Sequence, residues 1–304
     1  MSVPQQAFSG HGGGAGRTRQ RLVEYALLMR LHRPIGIFLL LWPTLWALWL
    51  AGDGHPRWDL VLIFIAGVVL MRSAGCVIND YADRDLDRHV ARTRDRPLTA
   101  GRVSPREALA LFAVLVLAAF GLVLLLNRLT QYLAVAALAL AVAYPFMKRI
   151  THLPQVVLGA AFAMSVPMAF AAQTGEVPRL AWLLYVTTLV WTVAYDTLYA
   201  MADREDDLRI GIKSTAILFG EADRLIVGLL QAMVIAGLYL VGRQAELGWI
   251  YGLGVAAAAV LFGWQQFLVR RRESAACFEA FLNNNWVGAA VFAGLVLEYL
   301  AARW

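Results

Sequence analysis

The sequence predicts an all-α, polytopic transmembrane bundle of about nine spans, with the N-terminus inside and the C-terminus outside. Three observations carry this. The chain is 60% hydrophobic and only 16% charged over 304 residues, too little charge to cover an ordinary water-soluble surface. Apolar runs close to bilayer length recur along it. The basic residues alternate between rich and poor connecting segments, as the positive-inside bias requires.

Taken in order, five Arg precede span one (34–51), and Arg57 alone separates it from span two (59–78). Eight basic residues from Arg72 to Arg106 follow, then span three (107–126) and the single Arg128. Span four (131–147) leads to Lys148 and Arg149, and span five (155–172), which Pro167 should kink, to Arg179. Span six (180–200) precedes four basic residues from Arg204 to Arg224, span seven (225–241) precedes Arg243, span eight (247–268) precedes Arg270 to Arg272, and span nine (286–302) precedes Arg303. Inner segments thereby hold 22 of the 27 Lys and Arg, which selects the orientation. Trp42, Trp58, Trp182 and Trp304 fall near span ends, where amphipathic rings favour the interface. Residues 1–20, with Gly12 to Gly16 and then Arg17 and Arg19, read as a disordered cytosolic tail without the apolar core of a secretory signal; residues 21–304 form the membrane domain. Cys76 and Cys277 are too few for a disulfide framework or a thiolate metal site, and the histidines lack metal-ligand spacing.

The acidic residues are unevenly spread. Asp80, Asp83, Asp85, Asp87 and Asp95 form one cluster, and Asp203, Glu205, Asp206 and Asp207 another; nine of the 21 acids lie in these two windows. Each window follows the cytoplasmic end of a span, with four helices between them, in the manner of a degenerate internal repeat. If the helices continue, Asn79, Asp83 and Asp87 share one face, and Asp203 and Asp207 share another. Like charges so placed repel unless a cation neutralises them. Oxygen-only ligands point to Mg²⁺, which takes one or two carboxylates and completes its octahedron with water and phosphate oxygens. Two such clusters suit the clamping of a diphosphate between metal ions. Cations thread both windows, and Lys148, Arg92, Arg96 and Lys213 are the candidate diphosphate contacts. Tyr144, at the inner end of span four, is a candidate contact for an aromatic acceptor or the diphosphate. Asp196, within span six, should be hydrogen-bonded or face a cavity, because an unpaired carboxylate there is costly.

The segment GCVINDYADRDLDRHVARTRDRPL, residues 75–98, resembles the first motif, NDxxDxxxD, of the UbiA superfamily of membrane prenyltransferases; Asn79, Asp80, Asp83 and Asp87 fill it. Asp203 and Asp207, within YDTLYAMADREDDLRIGIKST at 195–215, match the second motif, DxxxD. With YPFMKRITHLPQ at 144–155 the resemblance covers nearly the whole chain, and within the superfamily it is strongest to the 4-hydroxybenzoate polyprenyltransferases of ubiquinone biosynthesis. The resemblance implies a helical bundle around a central cavity, both Asp motifs at its cytoplasmic mouth, and a lateral opening to lipid for an isoprenoid tail. It implies Mg²⁺ held by residues of the set Asn79, Asp80, Asp83, Asp87, Asp203 and Asp207, with Asp83, Asp87, Asp203 and Asp207 catalytic. The diphosphate would ionise, and the ring carbon ortho to the hydroxyl of 4-hydroxybenzoate would attack the allylic cation. A carboxylate of the first motif would assist loss of the ring proton. Arg72, a turn or two before Asn79 in an apolar span end, would bind the benzoate carboxylate.

The expected partners are therefore a polyprenyl diphosphate, 4-hydroxybenzoate and the lipid bilayer; no nucleic acid and no obligate protein partner is expected. Two other readings stand beside this one. The same fold would serve with a naphthoate, homogentisate, haem or chlorophyllide acceptor, and a cation-coupled transporter would use Asp196 and Pro167. The acids gather at one face beside arginines rather than at the midplane, which disfavours the transporter. The expected location is a bacterial inner membrane with the site facing the cytoplasm, since no amphipathic, acid-poor presequence is evident.

Overall fold

The computed structural model describes residues 14–87, 93 and 95–302; the side chains of residues 14, 15, 17, 86 and 87 are outside the description. Among the described residues the regular structure is helical throughout. In chain order the α-helices are α1 (Gly14–Leu28), α2 (Ile35–Ala51), α3 (Trp58–Asp87), α4 (Pro105–Val123), α5 (Arg128–Ile150), α6 (Pro154–Ala163), α7 (Ser165–Thr174), α8 (Arg179–Ile210), α9 (Thr215–Phe219), α10 (Asp223–Gln244), α11 (Trp249–Leu268) and α12 (Ser274–Ala301).

Every apolar run expected as a span falls mainly on one helix, or, for the fifth, on the pair α6 and α7. Seven helical segments are long and apolar enough to cross a bilayer, with α2 a shorter apolar helix of 17 residues. The sixth expected span lies on α8, whose Thr187, Thr188, Thr192, Asp196 and Thr197 make it more polar than the others. Thr187, Thr192 and Thr197 satisfy their hydroxyls by bonding back along the helix, as Thr192 does to Thr188 O at 2.9 Å. The break between α6 and α7 comes where Pro167 requires it: proline lacks the N–H that would bond to Ala163 O, and its ring crowds that carbonyl.

Large apolar side chains remain exposed along α4, α5, α10 and α11, including Leu117, Val135, Leu225 and Val260. Water would disfavour such a surface and hydrocarbon does not. Inside, α8 packs on α6, α10 and α12, while α2 packs on α7 and α12, and α3 on α4. An aromatic series crosses this core: Trp46 stacks on Trp191 at 5.2 Å, Trp191 meets Tyr195 edge-on at 5.5 Å, and Tyr199 meets Phe281 at 5.1 Å. Buried amides bridge neighbouring helices, with Trp191 Nε1 donating to Asn284 Oδ1 at 2.9 Å and Gln231 Nε2 to Gln265 Oε1 at 2.8 Å. Where α11 crosses α12, a β-carbon on Gly254 would stand 2.7 Å from Ala290 O, so glycine permits the approach.

A second, smaller core joins α1, α3 and α4 through Leu28, Ala74, Val77, Val103 and Ala108. Helix α1 begins at Gly14, inside the stretch expected as tail. Its later part is fastened by polar contacts: Glu24 pairs with Arg102 at 2.9 Å, and Tyr25 donates to Glu107 at 3.2 Å. Residues 1–13 lie outside the described ones.

Candidate active site

Three helices each turn one stripe toward a common cavity of about 810 Å³. On α3 the stripe is Arg72, Cys76, Asn79 and Asp83; on α5 it is Leu138, Ala141, Tyr144 and Lys148; on α8 it is Asp196, Tyr199, Asp203 and Asp207. Alternating steps of three and four residues keep each set on one helical face. Both Asp motifs sit on the last turns of long helices, and Gly211 ends α8 just beyond the second by adopting φ 71°, a left-handed conformation that a β-carbon would strain.

The cavity gathers Arg72, Asn79, Asp80, Asp83, Arg96, Tyr144, Lys148, Asp203, Asp207 and Lys213, residues the sequence singled out from five separate segments. Asp87 ends α3, but its side chain lies outside the described part, and Arg92 is not among the described residues. Asp196 faces the same cavity, as its cost in an apolar span demands. At the other extreme the cavity reaches the outer surface between α4 and α5, where Leu117, Phe120 and Val135 both line it and remain exposed. One chamber thus joins a charged mouth to an apolar side opening.

The carboxylates at the mouth differ in their partners. Asp80 is 1% exposed, and its Oδ1 receives Arg30 Nη2 at 2.7 Å and Arg96 Nη1 at 2.9 Å. Burial works against the charge on Arg30, but Asp80 together with Cys76 and Tyr199 raises the guanidinium's pKa above its ordinary value. An oxygen committed to two guanidiniums is a poor metal ligand, so of the first motif's donors Asp80 fits a cation least. Asp83, 3% exposed, pairs through Oδ2 with Lys148, while its Oδ1 is buried without a hydrogen-bond partner. A buried, unsatisfied carboxylate oxygen, in a cavity that Asn79, Asp203 and Asp207 also line, is the donor chemistry a hard divalent cation accepts. Among the described residues no three acids, His or Cys converge into a ready-made cage. Mg²⁺ ordinarily keeps few protein ligands and fills its remaining positions with water and phosphate oxygens.

The cations divide in the same way. Lys148 joins α5 to α3 through Asp83, and Arg96 stands behind Asp80. Lys213 lines the cavity, but its ammonium donates to Ile150 O at 3.2 Å, at the end of α5. Arg204, next to the second motif in sequence, points elsewhere, pairing with buried Asp223 at 3.0 Å and donating to Gly220 O at 2.8 Å. Deeper in the chamber, Arg72 places Nη1 3.3 Å from Cys76 Sγ and Cζ 5.9 Å from the Phe162 ring centroid; its Nε is buried without a partner. A guanidinium in the cavity wall with no carboxylate in ion-pair range has the chemistry to bind an anion.

Sequence reasoning missed Arg30, Tyr195, Tyr199 and Gln155, all of which line the cavity. Arg30 looked like one more inner-facing cation before span one, and nothing in the sequence ties it to Asp80, 50 positions away. His32 also lines the mouth; burial, and then neighbouring Arg33 and Arg30, lower its pKa, so it is neutral at pH 7.

Comparison with known proteins supplies the family. At 63% identity over 282 residues, the chain resembles a protein of Hahella chejuensis named 4-hydroxybenzoate octaprenyltransferase, covering 93% of this chain and 94% of that one. A protein of Nitrosococcus oceani with the same name is 62% identical, over 93% of this chain and all of its own length. The apo structure of a UbiA homologue from Aeropyrum pernix K1 superposes with a TM-score of 0.76 at 29% identity, covering 86% of this chain and 97% of that one. An Archaeoglobus fulgidus UbiA homologue, solved bound to GPP and Mg²⁺, shares the fold with a TM-score of 0.70 at 19% identity, over 91% and 99% of the two chains. Residues 40–295, which carry both Asp motifs and all three cavity-facing stripes, match the UbiA prenyltransferase family, and to that family the chain belongs.

Proposed function

We propose that this chain transfers a polyprenyl group from polyprenyl diphosphate to the ring carbon ortho to the hydroxyl of 4-hydroxybenzoate, giving 3-polyprenyl-4-hydroxybenzoate and diphosphate, an early membrane step of ubiquinone biosynthesis. The observation that carries the reading is the single chamber that runs from a mouth of Asp, Lys and Arg to an apolar opening between α4 and α5, with an anion receptor, Arg72, inside it. A diphosphate joined to a long hydrocarbon needs both ends of such a chamber, and a small aromatic acid needs the receptor. Relatives of matching length at over 60% identity, named for this reaction, support the choice of acceptor.

Asn79, Asp83, Asp203 and Asp207, with Asp87 by its place in the motif, are the residues that would hold Mg²⁺. When bound, Mg²⁺ draws charge off the diphosphate oxygens and so lowers the barrier to breaking the allylic C–O bond. Lys148 and Arg96 place positive charge where the departing diphosphate takes the electron pair. Arg92 and Lys213 are auxiliary contacts. The apolar walls exclude water that would otherwise capture the allylic cation. Arg72 holds the acceptor carboxylate, and Tyr144 stands where it packs against the acceptor ring or the diphosphate. The new C–C bond forms at the ring carbon ortho to the hydroxyl, and the hydrogen on that carbon leaves as a proton, with a carboxylate of the first motif as the acceptor. The isoprenoid tail leaves through the lateral opening into lipid. The mouth faces the cytoplasm of a bacterial inner membrane, with nine spans placing the N-terminus inside; the concentration of Lys and Arg in the segments at that end supports this orientation.

Membranes containing the chain, given 4-hydroxybenzoate, a polyprenyl diphosphate and Mg²⁺, should form 3-polyprenyl-4-hydroxybenzoate, and EDTA should abolish the product until Mg²⁺ is returned. Diphosphate release without that product would move the reading to another acceptor, and no turnover of any diphosphate by folded protein would sink it.

A further inference from the structure

Helices α2 and α3 meet where Gly36, in the first turn of α2, faces the side chain of Arg72. Both residues line the cavity, and Gly36 is buried. A β-carbon built on Gly36 would stand 2.2 Å from Arg72 Nε, 2.4 Å from Nη2 and 2.6 Å from Cζ. The guanidinium therefore occupies the space that any other residue at position 36 would fill. Its other neighbours are few: Nη1 lies 3.3 Å from Cys76 Sγ, the Phe162 ring is 5.9 Å away, and among the described residues no carboxylate lies within ion-pair distance, although Asp196 on α8 acts on it electrostatically. No hydrogen bond to a carboxylate fixes the guanidinium, so the shape of the wall behind it sets where it rests.

We infer that Gly36 is a positioning residue for the acceptor: by lacking a side chain it lets the Nε–Nη2 edge of Arg72 pack against the α2 backbone, at the depth from which the outward N–H groups of the guanidinium meet the carboxylate of the aromatic acid. The inference rests on the reading of Arg72 as the carboxylate receptor. The atoms in conflict are the far end of a flexible side chain rather than backbone, so a methyl group at position 36 displaces the guanidinium and leaves the helices in place. Alanine is also the better helix former, so the substitution does not weaken α2 itself. A bidentate contact tolerates little displacement, because both N–H···O bonds must stay near 2.7–2.9 Å, the usual charge-assisted range of about that length.

The test is a steady-state comparison, in membranes, of wild type, Gly36→Ala, Arg72→Ala and the double variant, with KM measured separately for 4-hydroxybenzoate and for the polyprenyl diphosphate. Gly36→Ala should raise the acceptor KM about tenfold, with the diphosphate KM and kcat within about twofold. The double variant should be no worse than Arg72→Ala, since glycine acts only through that arginine. If Arg72→Ala leaves the acceptor KM unchanged, the receptor reading itself fails. If Arg72→Ala raises it but Gly36→Ala does not, the receptor stands and the positioning role is overturned. Equal losses for both substrates, or additive effects in the double variant, would also overturn it by showing a general packing role. Gly36→Ser and melting in detergent serve as the second variant and control: loss of folded protein in both Gly36 variants would mean that the helices, not the guanidinium, absorb the added atom, which likewise overturns the inference.

Discussion

The two acidic clusters look alike in sequence and are unlike in the fold. In the first, Asp80 and Asp83 on α3 are buried and tied by cations from three other segments, Arg30 and Arg96 on Asp80 and Lys148 on Asp83, while Asp85 is exposed. The second, on α8, lies half-buried at the mouth with its Glu205 exposed; Arg209 pairs with Glu205 and Asp206 along the same helix, and Arg204 is committed to Asp223. A repeated motif thus gives one cluster with two buried carboxylates tied across helices and one that lies half-buried at the mouth. The difference teaches that a carboxylate in such a motif is assigned a role by what the fold packs behind it.

The sharpest way to break this comparison is to remove one carboxylate from each cluster. Asp83→Ala and Asp207→Ala should each lower product formation a hundredfold or more, the order of loss when about 3 kcal/mol of preorganised charge stabilisation is removed. Asp83→Ala should also lower the melting temperature in detergent, because it strands Lys148. An unchanged melting temperature would show that this buried pair does not hold α5 to α3. Next in size is Asp80: Asp80→Ala should destabilise by about 3 kcal/mol, the low end for breaking a buried ion pair, since both guanidiniums keep some solvent contact. Asp80→Asn should recover part of that, and neither variant should change the Mg²⁺ concentration needed for half-maximal rate. A large shift in that concentration would restore Asp80 to the metal site. Lys148→Met should raise the diphosphate KM about tenfold, a loss of about 1.4 kcal/mol, without changing the acceptor KM. Smallest is Lys213→Met, expected to change either KM by less than about threefold, because its ammonium already serves the end of α5.

Much of this was legible before the fold. The positions of the apolar runs, the kink at Pro167, the two Asp motifs on helix ends and the cavity-facing place of Asp196 follow from hydropathy, proline chemistry and the cost of charge in hydrocarbon. Each of these is a local rule, read over a few turns. What was not legible is longer in range. Arg30 and Asp80 are 50 residues apart, Lys148 and Asp83 are 65, and no periodicity connects them.

The sequence by itself therefore determined that the chain is a membrane-embedded helical bundle, that its acids gather in two motifs, and that cations thread both of them; hydrophobic segment length, charge alternation and motif spacing are properties of neighbouring residues. Only the tertiary structure decided that Asp80 is clamped rather than open, that Arg204 turns away, that the chamber opens between α4 and α5, and that Gly36 leaves room for Arg72. Those outcomes depend on which helices come together, and a side chain's partners across helices are set by packing that no short stretch of sequence contains.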